Sequence, residues 1–259
     1  MCNIDKPNTL FLLGGYDLEM CTIKDILEQK ACNYADKHLK WNNASLSNYK
    51  NEIKIFQKCN PNGIIYGIEL KNDLLLSNEK YIEIDHHNDK SNNPSALEQI
   101  MTLLDVQTTR YYSLVSANDK SYIPGMKKIG ATESEIKIIR QSDRKAQGIT
   151  DEDEILAEKA INDNQRKTNG TIIIKAYNNK FSPICDRLYP YDSLLIYTKN
   201  EWMYYGYKSK HIKEYYNEEY QKGKLFFGGG DNGYIGCIKN IYEEQEINQF
   251  INTIEYGII

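Results

Sequence analysis

Apolar positions along this chain recur with two spacings. TLFLLGG at 9–15 is a short unbroken apolar run closed by two glycines, the pattern of a strand buried on both faces and stopped by a turn. Ile23, Ile26, Leu27, Ala31, Tyr34 and Ala35 then follow at helical spacing and predict an amphipathic helix against that strand. NGIIYGIEL at 62–70 and KYIEIDHH at 80–87 read as two more strands, and Ser95 stands as the N-cap of a helix carrying Ala96, Ile100, Leu103 and Leu104. Strands alternating with helices predict a mainly parallel sheet.

From about 126 to 168 the pattern is helical and charged, with Ile136, Ile139, Ile155, Leu156 and Ile161 as its apolar stripe and TDEDE at 150–154 as an acidic helix start. Beyond Asn169-Gly170 the texture turns to β: TIIIKAY, YDSLLIYTK and WMYYGYK, separated by turn-rich pieces, before a last helix with a glycine-rich lead-in. The expected fold class is α/β: an N-terminal, mainly parallel sheet flanked by helices over 1–125, a helical connector over 126–168, and a smaller C-terminal α+β domain over 169–259.

Composition narrows the function classes. Over 259 residues, 32 basic against 36 acidic side chains leave a net charge of −4, which argues against wrapping long nucleic acid and leaves room only for a local basic groove. Six cysteines, at 2, 21, 32, 59, 185 and 237, form no CxxC pair and no regular framework, so a reducing, cytoplasmic setting is expected. Apolar runs such as Leu10–Leu13 and Ile172–Ile174 are far too short to span a bilayer, so a soluble protein without membrane partners is expected.

In an open α/β sheet ligands bind at the carboxyl ends of the strands. Asp17 and Glu19 follow the first apolar run, Glu69 ends the second, Asp85, His86 and His87 end the third, and Asp119 lies just past the apolar stretch Tyr111–Val115. A set of carboxylates with imidazole suits two divalent cations held roughly 3.5–4 Å apart, which can clamp a phosphoryl group and activate water; the mixed donors favour Mn²⁺ over an all-oxygen Mg²⁺ cage. Taken alone, Asp17 and Glu19 read as acids serving a helix N-terminus, and Asp73 competes with Glu69 for its place.

Ile84-Asp85-His86-His87 resembles the signature of the DHH phosphoesterases, and Asp17-Leu18-Glu19, Glu69 and Asp119 resemble that superfamily's other acidic motifs in the same order. LFFGGGDNGYIGC at 225–237 resembles the glycine-rich segment of the accessory domain DHHA1, with Gly228, Gly229, Gly230 and Gly236 in register. The resemblance implies that Asp17, Glu19, Glu69, His86 and Asp119 ligate metal, with Glu69 as bridge. Asp85 would be a ligand or would orient a histidine, His87 would contact phosphate, and Gly228, Gly229, Gly230, Asp231 and Asn232 would contact substrate. Asp85, His86 and His87 form its catalytic core. It implies two Mn²⁺ ions, with Mg²⁺ or Co²⁺ as substitutes, and a nucleotide or short oligonucleotide as partner; homodimerisation stays open.

Three positions depart from the pattern. Leu13 stands where a histidine is expected four residues before Asp17, Glu19 and Glu69 replace aspartates, and Asp231 follows the glycine triplet in place of a histidine. The implied activity is metal-dependent hydrolysis of phosphodiester bonds in short oligonucleotides or in cyclic or linear dinucleotides. Its rivals are hydrolysis of a small phosphoanhydride or phosphomonoester, and a nucleotide-binding protein that has lost turnover. Outside these motifs, Lys120, Arg144 and Lys145 could reach phosphates. The aromatic set Trp202, Tyr204, Tyr205 and Tyr207 reads first as packing and second as base stacking.

Overall fold

A computed structural model describes residues 5–229 and 233–257. It divides into two compact units, Met1–Gly148 and Ile149–Ile259.

The first unit is built on four parallel strands in the order β2-β1-β3-β4, with β1 (Thr9–Leu13), β2 (Tyr34–Ala35), β3 (Ile64–Ile68) and β4 (Tyr81–Ile84). All five β1 residues are buried, so this strand carries apolar side chains on both faces. Helix α1 (Leu18–Gln29) follows β1, and α2 (Lys50–Cys59) precedes β3. Leu10 and Leu12 join Ile65, Tyr81 and the α2 residues Ile53 and Phe56 in one cluster. By alternation Phe11 and Leu13 point to the other face. Helix α1 packs with α3 (Ala96–Leu103), α4 (Arg110–Lys128) and α5 (Glu133–Ala146).

The expected first helix ends earlier than its apolar spacing implied. Ala31 turns the chain at φ +52°, and Tyr34 and Ala35 leave the helix to pair with Phe11 and Leu12 as β2. An unsatisfied edge of β1 outcompetes one more helical turn, because strand pairing supplies both backbone partners there.

The second unit holds six strands in the order β5-β6-β7-β8-β10-β9: β5 (Arg166–Thr168), β6 (Thr171–Lys175), β7 (Ser193–Tyr197), β8 (Trp202–Gly206), β9 (Leu225–Gly228) and β10 (Tyr234–Cys237). Helix α6 (Asp151–Asn164) leads into this sheet. Only β6 and β7 are parallel, joined by the crossover helix α7 (Ser182–Leu188); the other pairs are antiparallel. Three more helices follow β8: α8 (Ser209–Tyr215), α9 (Asn217–Gln221), which lies against β9, and α10 (Glu244–Glu255). Alternation along β7 splits the core in two. Leu194 and Ile196 pack with Ala157 and Ala160 of α6, whereas Leu195 and Tyr197 pack with Ile212 of α8 and with Ile247, Phe250, Ile251 and Ile254 of α10.

Ile155, expected in the buried stripe, is exposed, because α6 docks through the small residues Ala157 and Ala160, which let the helix approach the sheet closely. Residues 126–168 divide between the units: α5 packs on α1, and α6 packs on α7 and β6. Among the described residues, no helix is long and apolar enough to cross a membrane.

Candidate metal centre

Strand order 2-1-3-4 reverses direction at β1, so the crevice outside the carboxyl ends of β1 and β3 is the topological switch point of the first sheet. The chain crowds there. A Cβ on Gly14 would lie 2.4 Å from the Ile68 carbonyl oxygen and 2.5 Å from that of Glu69, so only glycine lets the end of β1 pass the end of β3.

Each acidic side chain reaches the crevice by its own local device. Asp17 is the N-cap of α1, its Oδ1 accepting the Met20 N–H at 2.9 Å. Glu19, buried in the first turn, accepts the Leu97 N–H at 3.0 Å through Oε1, so the N-terminus of α3 holds one of its oxygens. Glu69 follows β3 with φ +50°, a strained conformation for a side-chain-bearing residue, while its N–H still donates to the Ile84 carbonyl at 2.8 Å. Asp119 lies inside α4, just before that helix breaks at Ser121 and Tyr122.

His86 is the centre of the cluster. Its Nε2 lies 2.6 Å from Asp119 Oδ2, 3.1 Å from Glu69 Oε1 and 3.7 Å from Glu19 Oε2. Ligand atoms of Glu69, His86, His87 and Asp119 all fall within 4.8 Å of one another, a grouping that could hold a metal ion. Glu19 Oε2, both Glu69 oxygens, His86 Nε2 and Asp119 Oδ2 are buried and in no hydrogen-bond alignment with any partner. Among other buried polar atoms without a hydrogen bond, the Tyr81 hydroxyl and Ser116 Oγ are neutral, whereas these five belong to three carboxylates and an imidazole converging on one spot, the arrangement a cation satisfies.

Electrostatics record the same crowding. Burial, then the charge of Asp119, pushes the Asp17 carboxyl up to about 8, against the lowering effect of its cap hydrogen bond. Burial raises Glu69 well above the carboxylate range, with Glu19, Asp119 and Asp17 adding repulsion. Asp119 is raised mainly by burial, although His86 opposes the shift. Burial alone would lower His86, but contacts with Asp119, Glu19 and Glu69 outweigh it and push the imidazole up to about 12. Without a metal, a proton on His86 is the counter-charge of the carboxylates.

Asp85 and His87 lie at the rim. Asp85 Oδ1 accepts the His87 N–H at 2.9 Å and sits 3.1 Å from His87 Nδ1, while Lys90 Nζ stands 3.4 Å from Oδ2. Burial would raise Asp85, but the His87 hydrogen bonds and Lys90 hold it below its ordinary value. Asp73 is exposed and accepts the Ser47 N–H at 2.8 Å, so Glu69 is the acid that stands at the crevice.

No family model matches the chain, and no curated protein matches it in sequence. In structure it resembles the DHH domain of a protein described as a member of a family of ribosomal proteins, with a TM-score of 0.52 and 11% identity, over 97% of this chain and 87% of that one. The chain has the fold of a DHH-domain protein. The pGpG-specific phosphodiesterase PggH from Vibrio cholerae also aligns, at TM-score 0.46 and 13% identity, covering 96% of this chain and 98% of that chain.

Within the DHH fold, Leu13 is a buried β1 residue whose carbonyl accepts the Tyr49 hydroxyl at 2.6 Å, so this position supplies no ligand atom from its side chain. Gly228 ends β9 in the second unit, Gly229 follows it in a bend, and Gly230, Asp231 and Asn232 lie outside the described residues. Trp202 and Tyr204 are fully buried core residues, and Trp202 packs on Phe250 with ring centroids 5.0 Å apart. Lys120 donates to the Asn93 carbonyl at 2.6 Å, Arg144 is buried, and Lys145 is exposed.

One buried set escaped the sequence reading. Arg140 on α5 donates to Asn118 Oδ1 at 2.9 Å and to Asp143 Oδ2 at 2.6 Å, and it covers the Tyr122 ring at 4.4 Å. Asp143 Oδ1 in turn accepts the Leu18 N–H at 3.2 Å. The network therefore ties the start of α1, which carries Asp17 and Glu19, to the α4 break beside Asp119. In the sequence, Arg140 and Asp143 resemble any charged pair on a solvated helix face; only their burial distinguishes them.

Proposed function

We propose that the chain is a divalent-metal-dependent phosphodiesterase acting on short oligonucleotides or on cyclic or linear dinucleotides. The observation that carries this reading is the convergence of five buried, unpartnered donor atoms from Glu19, Glu69, His86 and Asp119 at the switch point of the parallel sheet. Carboxylates mixed with imidazole fit Mn²⁺, and Co²⁺ or Mg²⁺ would occupy the same set with different affinity. Glu19, Glu69, His86 and Asp119 would hold the ions, with Asp17 close enough to Glu69 to add its charge. Bound ions would supply Lewis-acid polarisation of the phosphoryl group and activation of water.

The protein's own groups do the rest. The α3 N-terminus fixes the rotamer of Glu19, and the strained backbone at Glu69 turns its carboxylate inward. Asp85 fixes the His87 ring through Nδ1 and leaves the ring at the exposed rim, where it would meet a substrate phosphate. The acidic balance of the chain favours short substrates over long duplexes.

Purified protein with Mn²⁺ is expected to release mononucleotides from a 5′-phosphorylated dinucleotide and to be silent in EDTA. Asp119→Ala and His86→Ala should each abolish release; turnover unchanged in both variants refutes the assignment. Leu13 favours a second reading, a nucleotide-binding protein without turnover, because it removes an expected imidazole. Metal stoichiometry separates the two: about two Mn²⁺ per chain for the enzyme and none for the binder.

A further inference from the structure

The chain has two tryptophans, and they differ in setting. Trp202 is fully buried, whereas Trp41, in a single helical turn Trp41–Asn43 following β2, is 44% exposed. A lone exposed apolar side chain needs no explanation by itself. Trp41, however, is held against the backbone.

A Cβ built on Gly15 would lie 2.3 Å from Cδ2, 2.3 Å from Cε2 and 2.5 Å from Cε3 of the indole. Cδ2 and Cε2 are the ring-fusion atoms, which can be approached so closely only from above the ring plane. One face of the indole therefore lies on the Gly15 backbone, and any residue with a side chain would displace it. With that face covered, the exposed area is the opposite face and the rim. Trp41 also meets His87, with ring centroids 5.8 Å apart, and the His87 ring lies 4.4 Å from that of His86.

We infer that Trp41 is a stacking platform for a nucleobase of the substrate. The inference rests on the phosphodiesterase reading and deepens it by naming how a nucleotide is held. A flat aromatic surface, fixed below and open above, stands one imidazole ring away from the cluster of Glu69, His86, His87 and Asp119. A nucleotide has the matching layout, a planar base joined to its phosphate through one ribose. Stacking on an indole is tolerant of base identity, since every base offers a π-face. The double glycine at 14 and 15 thereby has two separate uses: Gly14 lets β1 pass Glu69, and Gly15 seats Trp41.

The test uses the full chain with Mg²⁺ and two probes, guanosine 5′-monophosphate and ribose 5-phosphate, which share the phosphate and differ in the base. Under selective tryptophan excitation, the guanosine nucleotide is expected to change the fluorescence saturably and ribose 5-phosphate to leave it unchanged, because Trp202 is shielded from solvent. By calorimetry, Trp41→Ala should weaken guanosine 5′-monophosphate binding roughly 5- to 150-fold while leaving ribose 5-phosphate affinity within about twofold of wild type, and Trp41→Phe should restore most of the loss. Equal binding of the nucleotide by Trp41→Ala and wild type overturns the inference. So does an equal loss for both probes, or a failure of the wild type to bind either. Nucleotide binding that depends on Trp41 without any dinucleotide hydrolysis upholds the platform and counts against the phosphodiesterase reading alone.

Discussion

Replacing Asp17 by asparagine tests the electrostatics of the crevice directly. The Asp17 carboxyl is pushed from an ordinary 3.8 up to about 8, first by burial and then by Asp119. Between those two values the native protein holds a proton that the unfolded chain has released, so stability falls as pH rises across the window. At pH 7 the window spans just over three units, a ceiling of about 4 kcal/mol at 1.36 kcal/mol per unit. Asparagine removes the titration and remains an equally good N-cap for the Met20 N–H.

In EDTA at pH 7, Asp17→Asn should therefore raise the melting temperature, by at most about 8–16 °C at roughly 2–4 °C per kcal/mol. The gain should shrink towards zero near pH 4 and be largest near pH 8. Mn²⁺ should compress or invert the order, because cations favour the ionised carboxylate; at a hundredfold excess over Kd the wild type gains about 2.7 kcal/mol and the variant less. Thermal melts by circular dichroism, in EDTA and in Mn²⁺ across pH 4–8, measure all of this. A variant that melts below wild type in EDTA at neutral pH refutes the reasoning, as does a stability difference that is the same at both ends of the range.

Further outcomes follow from the same geometry. Divalent-metal binding should release about one to two protons at pH 7 and tighten as pH rises, since the proton on His86, raised to about 12, and that on Asp17, raised to about 8, must leave; calorimetry in buffers of different ionisation enthalpy counts them. Arg140→Met should cost about 3–5 kcal/mol by removing the cation that pairs with buried Asp143, and adding Asp143→Leu should recover part of it in urea unfolding. Gly206→Ala should lose about 1–3 kcal/mol, because φ is +132° there and a Cβ would meet the Asp192 carbonyl oxygen at 2.2 Å; a shift in denaturant midpoint reports it.

Much of the scaffold was legible in the residue order. The runs at 9–13, 64–68 and 81–84 become β1, β3 and β4, and Ser95 and Thr150 cap α3 and α6 with full capping boxes, since burial periodicity and cap chemistry are local properties. The ordered acids and Asp85-His86-His87 were visible for the same reason: strand ends can be counted along the chain.

What lay beyond the sequence depends on distances through space. Nothing local says that Glu19 shares its oxygens between the α3 N-terminus and the cluster, that Glu69 rather than Asp73 turns inward, or that Asp119 arrives from within a helix that breaks two residues later. Arg140 and Asp143 carry the spacing of a surface ion pair and are buried only because α5 lies across α1. Apolar pattern is written along one dimension, so the elements could be read from it. Which buried polar atoms meet, and which are left for a cation, was decided only when the four-stranded sheet brought chain positions 17, 69 and 86 to one edge and α4 carried Asp119 to it.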